Sequence, residues 1–265
     1  MRILIIGDVH GAHAELARLL ARIRDAHGID AAIQLGDFGF NAAQFAGGFA
    51  PGRLPVPVYA IDGNHDDHAW LHQAVKKGET KRWQDAYNLY FQPRASTVRL
   101  GEATVGFLGG ALHVDRPQYK HWFRDIANFI MSHERARATH LFNHERPALI
   151  VTHSCPADIG IGIQGNPCFA ADIAMHVLGA GFDPGPEHDC GEIELARLWQ
   201  HLQYRPAAWV FGHFHQQHDR TVDGTRFLCG GTLASPQLLL WDTAANEFSF
   251  LPRPAADPLS QHVPG

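Results

Sequence analysis

Five apolar runs, each only four or five residues long, stop at turns that carry a side chain able to hold a metal ion. Residues 3–6 lead into Gly7-Asp8-Val9-His10, and 31–35 into Gly36-Asp37. Residues 58–61 lead into Asp62-Gly63-Asn64-His65-Asp66, 149–152 into His153, and 207–211 into Gly212-His213-Phe214-His215. One such segment would carry no weight. Five point to a reactive centre at the carboxyl ends of sheet strands, where open α/β folds place their ligands.

The first 35 residues read strand, ligand turn, helix, strand. Leu16, Leu19, Leu20 and Ile23 recur at helical spacing over 13–27, Gly28 ends the helix, and 31–35 form the next strand of a βαβ unit. Residues 41–55 read as a loop and 70–75 as a short helix. Residues 87–91, 96–100 and 104–108 read as strands of a second sheet layer, the last two joined as a hairpin. The segment of about 110–147 contains no metal-type turn and is expected to form a rim or lid, with a charged helical stretch at 133–138. A glycine- and proline-rich loop from 157 to 191 with a short helix near 170–178, a helix over 192–202, and closing strands at 226–229 and 238–241 complete the domain. The domain is taken as residues 1–252 and the Pro-rich 253–265 as a poorly ordered tail.

At 265 residues and 45% hydrophobic content, the chain can bury a large core as one domain with an insertion. A formal charge of −5 offers no broad positive field for long nucleic acid or an anionic membrane. No apolar run approaches the ~20 residues of a membrane span, and four apolar residues before Gly7 are too few for a signal peptide. A soluble, cytoplasmic protein is expected. Cys155, Cys168, Cys190 and Cys229 show no CxxC spacing, so reduced thiols are expected; Cys155, two residues after His153, is a weak ligand candidate.

In Asp8-Val9-His10 an extended backbone turns residues i and i+2 the same way, so both can hold one ion. Asp37 has two oxygens and can bridge two ions, the usual arrangement in two-metal phosphoryl chemistry. Asn64 adds a carbonyl oxygen, and His153, His213 and His215 add imidazole nitrogens. This O/N donor set suits Mn, Fe, Co or Zn better than Ca or Mg. Two divalent ions outweigh the two carboxylates, and the surplus positive charge would attract an anionic phosphate and acidify a shared water.

The blocks Gly-Asp-Val-His-Gly (7–11), Gly-Asp (36–37), Gly-Asn-His-Asp (63–66), Thr-His-Ser-Cys-Pro (152–156) and Gly-His-Phe-His (212–215) resemble, in that order, the calcineurin-like metallophosphoesterases. The resemblance spans about residues 1–240. It implies an α/β fold with a two-sheet mixed β sandwich flanked by helices, four layers in the order αββα. It also implies a dinuclear centre in which Asp8, His10, Asp37 and His215 hold one transition-metal ion and Asp37, Asn64, His153 and His213 the other. A bridging hydroxide would attack phosphorus, and His65, supported by Asp66, would protonate the leaving group. The implied activity is hydrolysis of a phosphomonoester or phosphodiester. Monoesters, cyclic or linear diesters, dinucleoside polyphosphates and phosphoproteins present the same phosphoryl group and stay open, a small molecule or nucleotide being the substrate expected.

Two departures matter. Phe38-Gly39-Phe40 replaces the Asp-Arg-Gly of Ser/Thr protein phosphatases, and Asp66 stands where those enzymes carry Glu. Without that arginine, a protein phosphatase of that subclass is not expected. Arg116 and Arg124 are candidate substitutes for phosphate binding, against the plainer reading of each as a solvated surface arginine, and Trp122 between them is a candidate stacking residue. Two other classes compete. A noncatalytic interaction protein on the same fold would have lost ligands or the proton donor, and every position is filled. A di-iron oxygenase would display Glu-x-x-His pairs on helices, and none is prominent.

Overall fold

The computed structural model describes residues 1–45, 48–112, 129–160, 170–179, 189 and 191–254. The chain builds two six-stranded mixed sheets. In the first the order is β12 (Glu247–Pro252), β11 (Gln237–Asp242), β1 (Arg2–Ile6), β2 (Ala31–Gln34), β3 (Val58–Ala60) and β4 (Leu89–Phe91). The second runs β5 (Ser96–Leu100), β6 (Ala103–Leu108), β7 (Leu149–Thr152), β8 (Ala208–Phe211), β10 (Thr225–Gly230) and β9 (Gln217–Val222). At the centre of each sheet the pairing is parallel, β1 with β2 in the first and β7 with β8 in the second.

Strand alternation divides the core into three layers. Leu4 and Ile6 of β1, Ala32 of β2, and Leu238 and Leu240 of β11 pack outward, against α1 (His13–His27). Ile3, Ile5, Ile33, Leu149, Val151, Val210, Leu228 and Trp241 meet between the sheets. Ile150, Trp209, Phe211 and Phe227 face the opposite side, against α5 (Ser132–Glu145) and α7 (Ile193–His201). Because side chains i and i+1 leave a strand on opposite faces, a strand with helices on one side and a second sheet on the other is apolar at nearly every position. That requirement explains the continuous runs.

Helix α1 buries Leu16, Leu19, Leu20 and Ile23 and ends at Gly28, whose left-handed φ of 64° lets its N–H close on the Arg24 carbonyl. The short α2 (Ala42–Phe45), then α3 (His68–Lys76) and α4 (Glu79–Tyr87), flank the first sheet, with Phe45, Trp70 and Trp83 packed on its outer core. A short helix α6 (Ala170–Asp172) continues as a π-helical stretch, Ile173–Leu178.

Several boundaries differ from the sequence reading. Leu89–Phe91 joins the first sheet, parallel to β3, and only β5 and β6 enter the second. Tyr87 closes a helix and begins no strand, since Asn88 at φ 62° caps α4. Of the expected rim, Ser132–Glu145 is a scaffold helix burying Ala138 and Phe142 beside Leu195 and Leu198 of α7, while 113–128 lie outside the described residues. Arg253, the first residue of the expected tail, still packs: its N–H donates to the Pro236 carbonyl at 2.8 Å and its guanidinium reaches Glu15 and the Leu233 carbonyl. No helix among the described residues is long and apolar enough to cross a membrane.

Candidate metal centre

Asp8, Asp37 and Asn64 follow the carboxyl ends of β1, β2 and β3; His153 and His213 follow those of β7 and β8. The parallel register brings all five to one edge of the sandwich, so the site is shared by both sheets. Four candidate ligands occupy left-handed backbone: His10 (φ 48°), Asp37 (φ 53°), His213 (φ 68°) and His215 (φ 56°). Non-glycine residues rarely hold this conformation, and it concentrates where a site over-determines the backbone.

Two groups of donors form. In the first, His215 Nε2 lies 2.7 Å from Asp8 Oδ2 and 3.2 Å from His10 Nε2, and His10 Nε2 lies 4.0 Å from the same Asp8 oxygen. In the second, His153 Nε2 lies 2.9 Å from Asn64 Oδ1 and 3.3 Å from Asp37 Oδ2, with Asp8 Oδ1 3.9 Å from the same ring. Asp8 is thus common to both three-donor groups, and Asp37 stands in the second. The groups differ in access: the side chains of His10 and His215 are 39% and 52% exposed, whereas Asp8, Asp37 and His153 are buried.

The donor chemistry fits a cation. His153 Nδ1 sits 2.7 Å from the Leu35 carbonyl, which can only accept, so that nitrogen carries the hydrogen. Its Nε2 then faces the Asn64 and Asp37 oxygens, and acceptors gathered this way need a proton or a metal ion between them. Without metal the proton serves. Burial works against a charged His153, yet the Asp37 carboxylate raises it to about 10; burial likewise pushes Asp37 upward, yet His153 holds it well below the carboxylate range. His213 is half-buried; desolvation and the neighbouring His153 charge push it down to about 3, so it offers a neutral nitrogen. Its ring lies 5.0 Å from that of His153.

The glycines preceding ligands have a steric reason. A Cβ at Gly63 would lie 2.2 Å from Asp37 Oδ1, and one at Gly36 would overlap the His153 ring. Each block therefore leaves room for a ligand of another block. The backbone N–H groups of His65 and His213 donate to Asp37 Oδ1 (2.7 Å) and Asp8 Oδ1 (3.1 Å), orienting both carboxylates.

His65 stands on the open side, its ring 5.2 Å from that of His10. The two oxygens of the next residue, Asp66, accept from the N–H groups of Gly39 (2.8 Å), Phe40 (2.7 Å) and Gly63 (2.8 Å), which ties the second block to the third. Burial and the nearby Asp37 charge raise this carboxyl to about 7. Cys155 and Cys229 are buried in the outer core of the second sheet, and no cysteine belongs to a three-donor group among the described residues. Cys168, Cys190, Arg116, Trp122 and Arg124 lie outside those residues.

Gln34 was missed in the sequence reading. Fully buried in β2, it bonds through its amide to the carbonyls of Gly7 (3.3 Å) and Gly36 and accepts from Gly36 N–H (3.2 Å), so it joins the turns bearing Asp8 and Asp37. Its signal was a lone polar side chain inside an apolar run.

A calcineurin-like phosphoesterase family model matches residues 1–217. The chain belongs to the calcineurin-like phosphoesterase family. As a calcineurin-like phosphoesterase it has the fold of solved structures that share little sequence with it. The crystal structure of TT1561 of Thermus thermophilus superposes with a TM-score of 0.57 at 12% identity, covering 96% of this chain and 99% of that one. A putative 5′-nucleotidase from Staphylococcus aureus gives 0.56 at 14% identity, covering 97% of this chain and 55% of its own. GAP50, described as the anchor in the inner membrane complex of Plasmodium, gives 0.51 at 11%, covering 96% and 84%. No curated protein matches this phosphoesterase-family chain in sequence.

Proposed function

We propose that this chain is a metal-dependent phosphoric ester hydrolase acting on a small phosphomonoester or phosphodiester, or a nucleotide, in the cytoplasm. The observation that carries this reading is the pair of acceptor-rich groups, joined through Asp8, at the shared edge of the two sheets. Asp8, His10, His215 and Asp37 would hold one transition-metal ion (Mn, Fe, Zn or Co), and Asp37, Asn64, His153 and His213 the other. Two such ions supply Lewis acidity toward phosphoryl oxygens and acidify water.

The chain's own groups do the rest. His65, on the exposed side beside His10, delivers a proton to the departing oxygen, and Asp66 holds its turn through the three backbone N–H bonds. Arg116, Trp122 and Arg124 are retained as contacts to the part of the substrate that is not transferred.

Purified protein assayed on phosphomonoesters and phosphodiesters with Mn, Zn, Co or Mg should show turnover that depends on the added ion and is lost on chelation. His65→Ala should keep its metal and lose about 10²- to 10⁴-fold in kcat, less for nitrophenolate than for poorer leaving groups. Metal-independent turnover would overturn the reading, and an equal loss for all leaving groups would remove His65 as the acid. Metal counts in Asp8→Asn and Asp37→Asn decide which carboxylate is shared, because the variant at the bridge loses both ions.

A further inference from the structure

Arg94 lies between β4 and β5 with only 10% of its side chain exposed. Its Nε and Nη2 donate to Asp62 Oδ2 at 2.9 and 2.7 Å, and its Nη1 to Glu134 Oε2 at 3.0 Å and the Phe129 carbonyl at 2.7 Å. Each partner anchors something else. Asp62 opens the turn that carries Asn64 and His65, and its carbonyl accepts from Gly110 N–H at 3.0 Å. His68 stands over the same turn, with Nδ1 3.6 Å from Asp62 Oδ2 and Nε2 2.9 Å from the Gly63 carbonyl. Glu134 Oε2 also accepts from Met131 N–H at 2.9 Å, at the start of α5.

One buried guanidinium therefore joins the His65 turn to the N-terminus of α5 and to the chain at Phe129, while Gly110 is tied to the same aspartate. A buried carboxylate–arginine–carboxylate triad gains little stability over apolar packing of equal volume. What the rigid planar fork adds is direction, because it fixes two partners at set angles where a flexible ammonium would not.

We propose that Arg94 is a positioning residue for hydrolysis: it sets where the His65 turn stands relative to α5, and so governs how the protein discriminates among phosphate esters by leaving group. This rests on the role proposed above for His65. Glu134→Gln and Arg94→Lys test it, the first touching only the far end of the tie. The readouts are amide hydrogen exchange at His65, whose N–H donates to Asp37 Oδ1 at 2.7 Å, and the ratio of kcat/KM for phenyl phosphate to that for nitrophenyl phosphate. In both variants His65 exchange should quicken and the ratio fall by about tenfold, with β1 amides unchanged, and Glu134→Gln should add nothing to Arg94→Lys. Unaltered exchange and ratio, or a loss equal for both esters with exchange quickened throughout the core, would overturn the proposal. If the wild-type chain hydrolyses neither monoester, the ratio is read on the phenyl and nitrophenyl diesters of methyl phosphate; turnover of neither class would overturn the reading of function, and the exchange result alone would then decide whether the tie exists.

Discussion

Gly63 shows how finely the site is set by single residues. Its Cα approaches Asp37 so closely that a methyl group would sit 2.2 Å from Oδ1, against backbone that the His65 N–H bond also holds in place. Gly63→Ala should therefore displace the Asn64–His65 turn, cost about 1–3 kcal/mol as overpacking does, and abolish stoichiometric metal binding. Thermal unfolding and metal analysis on the variant check this, and an alanine protein with full metal content would refute it. His13 supplies a pH dependence at the same scale. It is buried, and burial pushes it down to about 4 although its Nε2 bonds the Phe38 carbonyl at 2.8 Å. The unfolded chain protonates near the ordinary value of 6.5, so between 6.5 and about 4 the unfolded state binds a proton that the folded state refuses. The contribution of neutral His13 is complete above pH 6.5 and is lost as pH falls toward 4, by at most about 3 kcal/mol. Urea unfolding at pH 7 and pH 5 should show His13→Gln losing less stability over that interval than the wild type.

At the level of elements, β2 does more than fill the sheet, because Gln34 at its end stitches the Gly7 and Gly36 carbonyls together. Replacing Gln34 with Leu leaves both carbonyls and the Gly36 N–H without that partner in a dry interior, and should cost about 1–3 kcal/mol per unsatisfied group while loosening both ligand turns. Equilibrium unfolding and metal titration should fall together; unchanged metal affinity would separate the strand from the site. The five ligand strands were legible because burial on two faces leaves few polar positions to blur them, Gln34 among them, and the Gly-Asp, Gly-Asn-His and Gly-His turns because close packing demands glycine there. Strands β9 and β12 were not. They are edge strands with polar or half-exposed side chains, Gln217–Val222 and Glu247–Pro252, and lack the apolar signature of the interior. Helix α4 buries only Trp83, so its sequence shows no apolar stripe. Arg94, Asp62 and Glu134 are far apart along the chain, and nothing local marks them as one cluster.

Across the whole molecule, the candidate ligands are divided between the sheets, with Asp8, Asp37 and Asn64 on the first and His153, His213 and His215 on the second. Bound metal should then act as a bolt through the sandwich, raising folding stability by about 2.7 kcal/mol when free ion is a hundredfold above Kd. A chelator should lower the midpoint of thermal unfolding in the wild type and leave Asp8→Asn unmoved; equal effects on both would exclude a specific site. Pairing in the first sheet has a further consequence for how the protein is made. Strand β1, which leaves the ribosome before its neighbours β2 and β11, pairs on one side with β2 and on the other with β11, Ile3 opposite Trp241 and Leu4 opposite Leu240. Until residue 242 clears the ribosome, a strand that is apolar from Ile3 to Ile6 has one edge without its native partner, because β11 is separated from it by the whole second sheet. During translation that edge is the point at which two nascent copies would join, and it makes the growing polypeptide a client for chaperones that shield exposed strands.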